Sequence, residues 1–393
     1  MSRLWLVAMV LALPLVALGQ DAAPEEDARQ VEPLVLWGGR ETPPGKIVEF
    51  SLEGVVLEDP FGVRRTVRWD FVREIHGPRE AEAEPFLKTA RLAWRARTRL
   101  ERGDAVTAEP MFEELYPLYE GLRGGMASMV AEGLLRCRLR RSAQTAAVRP
   151  WLAYLVSEGA GPYLSRMAGA LRPAVDEESG LVPSLAPVWL ETPAVEAFAR
   201  SEPIVVWERE GAAAPRRAEI LESLYRHAAR FECQLETAAP ELSLSSSDLA
   251  DEGIRLVNAI VVAESGGADE RAVARRLLED ERDHARRAGS ARAWVEAWCR
   301  LGIGRSLLRE PDNEQKRLGV IELLHLPARF SDSQPYLAGV ALAEAAVALN
   351  ELGDKQGSDS LLVELRDSYG AHPATTWEPV RSLLDKLNTS AGR

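Results

Sequence analysis

Two segments far apart in the chain follow one spacing, and that spacing constrains the fold more than any other feature. Ala96, Gly103, Ala108 and Phe112, followed by Leu115, are separated by intervals of seven, five and four; Ala346, Gly353, Ser358 and Leu362 repeat those intervals. In both copies an Asp follows the Gly (Gly103-Asp104, Gly353-Asp354). That is where two helices joined by a tight turn need a residue tolerant of left-handed backbone angles. The pattern predicts two antiparallel helical hairpins.

From Glu80 onward Ala, Leu, Arg and Glu dominate, apolar residues recur at intervals of three and four, and helix breakers follow every fifteen to twenty residues. The predicted helices are Pro85 to Arg102, Ala105 to Tyr119, Met126 to Arg141, Thr145 to Ser157, Arg216 to Leu235, Asp248 to Glu264, Glu270 to Arg286, Ala291 to Arg309, Asn313 to Leu326, Pro335 to Leu352 and Gln356 to Tyr369. Pro110 and Pro117 lie inside the second of these and predict a kink or an early stop there.

The two matched hairpins, with weaker ones at Gly133 and Gly304, resemble the tetratricopeptide repeat family. In that family the first helix carries a small residue where its partner packs closely, matched by Ala96 and Ala346. The second carries Ala and then a large apolar residue four positions on, matched by Ala108 and Phe112. The later copy places Ser358 at the Ala position, and Pro373 follows its second helix as the family's repeats often close. A single hairpin cannot bury its apolar face, so the resemblance implies stacking into a solenoid. The separation of Ala96 from Ala346 is no whole number of 34-residue repeats, which predicts an irregular α-solenoid.

The chain before Glu80 reads differently. Met1 to Gly19 has one early cation, Arg3, an apolar run from Leu4 to Leu18, and Ala17-Leu18-Gly19 before Gln20, the pattern of a cleaved export signal (residues 1–19). Residues 20–33 are rich in Ala, Glu and Asp and predict a disordered lead-in. Across 34–77 the period becomes two. Val48, Phe50 and Leu52 share one strand face and Glu49, Ser51 and Glu53 the other, Asp59-Pro60-Phe61-Gly62 is a turn, and Val63, Arg65, Val67 and Trp69 alternate with Arg64, Thr66 and Arg68. Four or five short strands in this span predict a small antiparallel barrel of the SH3 or Sm type. Its Arg64, Arg65, Arg68 and Arg73 suggest RNA, but Lys46 to His76 sets six carboxylates against five cations, so no basic field results.

The helical region divides into 80–170, with hairpins, and 209–393, with the second matched hairpin near 335–370. Between them, 171–208 holds Pro173, Pro183, Pro187, Pro193 and Pro203 with Trp189 and Trp207. This stretch is too Pro-rich for a helix and too apolar for a free linker, and it predicts an irregular segment lying against the helices with Trp189 buried. It either bridges two helical halves or lines a groove. Ala238 to Ser247 reads as a polar loop. Cys137, Cys233 and Cys299 each lie inside a helical pattern, where a thiol acts as a small hydrophobe.

Chemistry is sought in the histidines. Glu281-x-x-His284 and Glu322-x-x-His325, with Glu296 as a further carboxylate, have the spacing of carboxylate metal sites in helical bundles. His284 sits in a charged run, His325 beside leucines, and His227 in a helix, and no nucleophile-elbow, phosphate-loop or zinc motif is present. No cofactor, metal or catalytic residue is therefore assigned. A net charge of −12 excludes general attraction to nucleic acid or anionic lipid. After signal cleavage no stretch is long enough to span a membrane. The sequence leads to the expectation of an exported, periplasmic or secreted, non-catalytic scaffold with a protein or peptide partner. The alternatives are a metal-dependent or hydrolytic enzyme on a helical frame, and a binder of envelope polymer or carbohydrate.

Overall fold

The computed structural model describes residues 34–40, 43–159, 163, 165–167, 171–203, 216–240 and 242–391. The export signal, the lead-in and Trp207 lie outside the described residues. The chain is mainly helical, with a small antiparallel sheet region at its start.

Strands β1 (Leu34–Leu36), β2 (Lys46–Ser51), β3 (Gly54–Glu58), β4 (Arg64–Arg68) and β5 (Val72–Ile75) form two sheets, β2-β3-β4 and β1-β5, all antiparallel. Among the described residues no pairing joins the two, so the expected barrel does not close. Its place is taken by the first helix, α1 (Glu80–Glu101), which packs on β5 and on the 3₁₀ turn at Trp69. Trp69 is wholly buried, stacks on Phe86 of α1 at 5.1 Å between ring centres, and donates from Nε1 to the Ser51 carbonyl at 2.8 Å.

The expected strand face is also displaced. The register of β2 shifts between Ile47 and Glu49, a bulge that breaks strict alternation. Ile47 thereby enters the core, while Leu52 is 46% exposed. Four arginines of the module face carboxylates: Arg64 with Glu58, Arg65 with Asp59, Arg68 with Asp70 and Arg73 with Glu74. Asp70 is buried and also holds Arg97 of α1 at 2.8 Å, which ties sheet to helix.

Four helices then follow as hairpins: α1, α2 (Ala105–Tyr119), α3 (Gly125–Arg140) and α4 (Gln144–Glu158). The short α5 (Pro193–Arg200) interrupts the Pro-rich segment, which was expected to be irregular throughout; Thr192 caps it and Pro193 occupies its first turn, where no N–H is needed. The remainder comprises α6 (Arg216–Glu232), α7 (Ser246–Ala250), α8 (Glu252–Ser265), α9 (Ala268–Ala288), α10 (Ala293–Leu308), α11 (Asn313–Phe330), α12 (Pro335–Glu351), α13 (Lys355–Tyr369) and α14 (Glu378–Ala391). The single helix expected over Asp248 to Glu264 is split at Asp251, whose side chain leaves the helix to accept from Ile254 N–H and start α8. Helix α2 runs through both of its prolines. Pro110 deprives only the carbonyl of Val106, a residue 86% exposed and free to be hydrated, while Ala108, Phe112, Leu115, Tyr116 and Tyr119 remain buried.

From α8 to α13 each helix packs on its sequence neighbour, and α10 also touches α8 and α12. Helices α8, α10 and α12 thus form one layer, with α9, α11 and α13 as the other. The first layer is buried on nearly every side, from Val295 to Leu307 in α10 and from Leu337 to Ala346 in α12. Small residues permit this closeness: a Cβ on Gly304 would meet Leu323 at 2.8 Å, and one on Gly133 would meet Phe112 at 2.2 Å. Gly133 and Gly304 are therefore contact points inside α3 and α10, not turns of further hairpins.

The two matched turns agree atom for atom in their hydrogen bonding. Gly103 and Gly353 have φ of +85° and +87°. Asp104 and Asp354 donate their N–H to Arg99 and Leu349 carbonyls, both at 2.9 Å. Each Asp side chain then accepts from the N–H three residues on, at Thr107 and Gly357. Ala96 and Ala346, Ala108 and Ser358, and Phe112 and Leu362 are buried in corresponding places.

At Ser358 the hydroxyl is buried without a partner. Replacing it by Ala, the residue at the corresponding position 108, removes an unpaired polar group. Ser358→Ala is expected to stabilise the protein by about 1 kcal/mol, read as a higher Tm. Gly133→Ala is expected to cost about 1–3 kcal/mol by overpacking, and part of that loss should be recovered when Phe112 is also changed to Leu.

Candidate functional site

The charged residues that interrupt the apolar faces of the inner helices converge on one point. Arg305 lies in the middle of the Leu-Gly-Ile-Gly-Arg-Ser-Leu-Leu stretch of α10, and Glu344 inside the Ala-rich α12. Arg305 donates from Nε to Glu344 Oε1 at 2.8 Å and from Nη1 to Glu264 of α8 at 2.8 Å. From Nη2 it donates to Glu232, the last residue of α6, and to the Trp189 carbonyl, each at 2.9 Å. One guanidinium thus joins four helices and the Pro-rich segment, and its planar array of donors is filled.

All four charges are withdrawn from water; Arg305 is 5%, Glu264 4% and Glu344 6% exposed. Arg309, one turn on, adds a contact to Glu264 at 3.0 Å and lies over the Phe231 ring. Burial lowers the Arg305 pKa, but Glu264, Glu344 and Glu232 more than reverse that and hold it above the ordinary arginine range. Three carboxylates around two guanidinium groups are not equally served. Burial pushes Glu344 up to about 7, against the pull of Arg305, and Glu232 is raised for the same reason. The second oxygen of Glu344, Oε2, is buried with no hydrogen-bond partner. Glu344 borders a cavity of about 250 Å³, lined also by Leu308, Lys316, Val347, Glu351 and Trp377.

The Pro-rich segment is held by the same kind of contact. Its carbonyls accept from side chains of three helices: Gly180 from Trp151 Nε1 (2.9 Å), Pro183 from Trp298 Nε1 (2.8 Å), Leu185 from the Tyr225 hydroxyl and Trp189 from Arg305. Trp189 is 1% exposed and donates to the Tyr225 carbonyl at 3.1 Å. The segment lies against the helices as the sequence predicts, bridging α4 to α6 and α10. It also borders cavities beside Pro173 and Pro183.

The histidine pairs are arranged differently. Glu281 is bound to Arg292 at 3.2 Å, and His284 is exposed. Glu322 takes Arg282 at 3.1 Å and Arg300 at 2.7 Å, and Glu296 takes Arg300 and Arg329. Arginines thus pair with the carboxylates whose spacing the sequence brings to notice. Among the described residues no group of His, Cys, Asp and Glu is placed to hold an ion.

His227 presents an arrangement that its sequence context does not suggest. Nδ1 faces Glu236 Oε2 at 2.5 Å, and Nε2 is 3.2 Å from Ser265 Oγ. The order carboxylate, imidazole, hydroxyl is that of a proton relay, but His227 and Ser265 are 7% and 4% exposed and Ser265 also bonds the Val261 carbonyl at 2.8 Å. A nucleophile must reach its substrate, so this relay ties the chain after α6 to α8. Cys137, Cys233 and Cys299 are free thiols, and burial raises the pKa of each, Cys137 to about 12 and Cys233 to about 11. Compared with known protein families, with characterised proteins and with solved structures, the chain matches none.

The Arg305 cluster was not singled out from the sequence, because its members are spread over four helices. The available signal is a lone charge within an apolar run, at Glu264, Arg305 and Glu344 alike. Removing its centre leaves carboxylates buried without a counter-charge, so Arg305→Met is expected to cost about 3–5 kcal/mol in denaturant unfolding. Glu344 titrates near 7 when folded and near 4.5 otherwise. The folded state therefore holds the extra proton between those values, and the group's contribution to stability is lost as pH rises through 7. Against Glu344→Gln, the parent should lose about 2–3 kcal/mol of stability between pH 5 and pH 8, measured by urea unfolding at both.

Proposed function

We propose that this protein is an exported, non-catalytic scaffold that binds a protein or peptide partner at the cell envelope, built as an irregular, tetratricopeptide-like α-solenoid behind a small β module. The observation that carries the reading is the ladder from α8 to α13, in which each helix packs on its neighbour and alternate helices form two layers. Stacked hairpins of this kind present extended surface and act by binding. The identical turns at Gly103 and Gly353 support a repeated unit, and the apolar run from Leu4 to Leu18 supports export. The outer helices α9 and α11 expose Val273, Leu277, Leu318 and Ile321, apolar area of the sort a partner covers. No helix among the described residues is long and apolar enough to cross a membrane.

Light cross-linking followed by affinity capture of the tagged mature protein from its own envelope extract tests this. The expected outcome is one reproducible protein partner, lost when Ile321 is changed to Asp. Stoichiometric metal in the eluate with no partner would overturn it in favour of a metal-dependent enzyme.

A further inference from the structure

We infer that the outer face of α1 receives an acidic helix of the partner, whose carboxylates pair with a series of cations that this molecule leaves free. That the acidic helix belongs to a partner rests on the scaffold reading; the charge and spacing of the face do not.

Lys88, Arg91, Arg95, Arg99 and Arg102 follow one another at intervals of three, four, four and three residues. That spacing sets them on one side of α1 over about 21 Å. All five are exposed, so no described element lies over them, while α1 packs by its other side against β5, the turn at Trp69, α2 and α3. Arg99 reaches Asp104 at 3.3 Å; the other four make no ion pair among the described residues. One carboxylate, the exposed Glu84, precedes the series by a turn.

The occupant follows from how the molecule joins its own helices. An arginine of one meets a carboxylate of the next: Arg141 at the end of α3 with Glu109 of α2, Arg282 of α9 with Glu322 of α11, and Arg329 of α11 with Glu296 of α10. Helix α1 is the first, and its outer arginines stand ready for the same contact with nothing set against them. A guanidinium offers a carboxylate a planar, two-point contact. The spacing favours a helix as the carrier. Carboxylates at three- and four-residue intervals advance by about 5 Å per charge, as these cations do, whereas alternate residues of an extended strand advance about 6.6 Å and fall out of step over four charges. A nucleic acid, with its dense phosphates, meets repulsion from the net charge of −12 along its whole length, while a short acidic helix meets this face alone. Trp94, between Arg91 and Arg95 in the chain, stacks on Trp37 at 4.0 Å with both rings half-buried, which leaves aromatic area beside the charges for an apolar side chain of the partner.

The probe is a fluorescein-labelled peptide of three Glu-Ala-Ala-Glu-Ala-Ala-Gln heptads, titrated into the full chain and read by anisotropy. Binding is expected at about 0.05 M salt and severalfold weaker at about 0.3 M, where screening shortens the reach of exposed charges. The double variant Arg91→Glu, Arg95→Glu alters exposed helix positions and should keep the parent's circular dichroism while weakening binding at least about tenfold. Arg276→Glu, at an exposed cation of α9, should leave binding unchanged. Equal affinity in the parent and the double variant would overturn the proposal, as would tighter binding of a single-stranded oligonucleotide of equal charge that the double variant loses. Neutralising Glu25, Glu26 and Asp27, which precede β1 in the chain, is expected to change nothing; a gain of about tenfold would make that segment the occupant and overturn the assignment to a partner. Capture from envelope extract separates the two readings. A partner taken by the parent and lost by the double variant supports the inference, and one held equally by both overturns it while leaving the scaffold reading intact. If the peptide binds and no protein is captured from any extract, the scaffold reading fails, and with it the source named here, while the affinity of α1 for an acidic helix stands.

Discussion

Arg305 is the contact on which the C-terminal half of the molecule depends. Its five donors reach α6, α8, α12 and the carbonyl of Trp189, elements separated by up to about 150 residues in the chain. Placing a guanidinium in a helical core is expensive unless every donor is used, because the desolvation of the charge is repaid only by close, directed partners. That requirement fixes more than the arginine. It sets the distance between α10 and its neighbours in the inner layer, the end of α6, and the path of the Pro-rich segment, none of which apolar packing alone would specify to within a hydrogen bond.

The same device recurs at lower cost elsewhere. Asp70 is buried beneath Arg68 and Arg97 and fastens the sheet to α1; Glu296 and Glu322 with Arg282, Arg300 and Arg329 link α9, α10 and α11. Small residues and buried ion pairs are complementary here. Gly133, Gly304 and the alanines of α12 let helices approach closely enough that little water remains, and the charges left inside must then find one another. Satisfaction is not complete: one oxygen of Glu344 and one nitrogen each of Arg97, Arg138, Arg217 and Arg271 stay buried without a hydrogen-bond partner.

The Pro-rich segment shows how an irregular chain is tolerated in an interior. A loop with unpaired carbonyls cannot be buried. From Gly180 to Trp189 the missing backbone partners are supplied by the Nε1 atoms of Trp151 and Trp298, the Tyr225 hydroxyl and the Arg305 guanidinium. Aromatic residues with a polar edge serve well, because the ring fills the core while its one donor reaches the passing carbonyl. Of the tryptophans in the chain, Trp69, Trp151, Trp189 and Trp298 are used in this buried way.

What the sequence by itself determined is local. The hairpin turns at Gly103 and Gly353, most of the helical spans apart from α5, α14 and the break between α7 and α8, the presence of short strands before Glu80 and the burial of Trp189 all follow from backbone preference and periodicity within a few residues. The equivalent turns at Ser142 and Gln234 carry no glycine to mark them, because both residues adopt positive φ as they are. The bulge in β2 was likewise invisible, since alternation carries no mark of where a register slips. Tertiary structure alone decided the rest: that arginines pair with Glu281, Glu296 and Glu322; that α1 fills the side of an unclosed barrel; and that Glu232, Glu264 and Glu344 meet at Arg305. The reason is physical. Periodicity reports which face of an element is buried, whereas a charge in a core is defined by the partners that reach it, and those come from parts of the chain whose separation leaves no trace in local sequence.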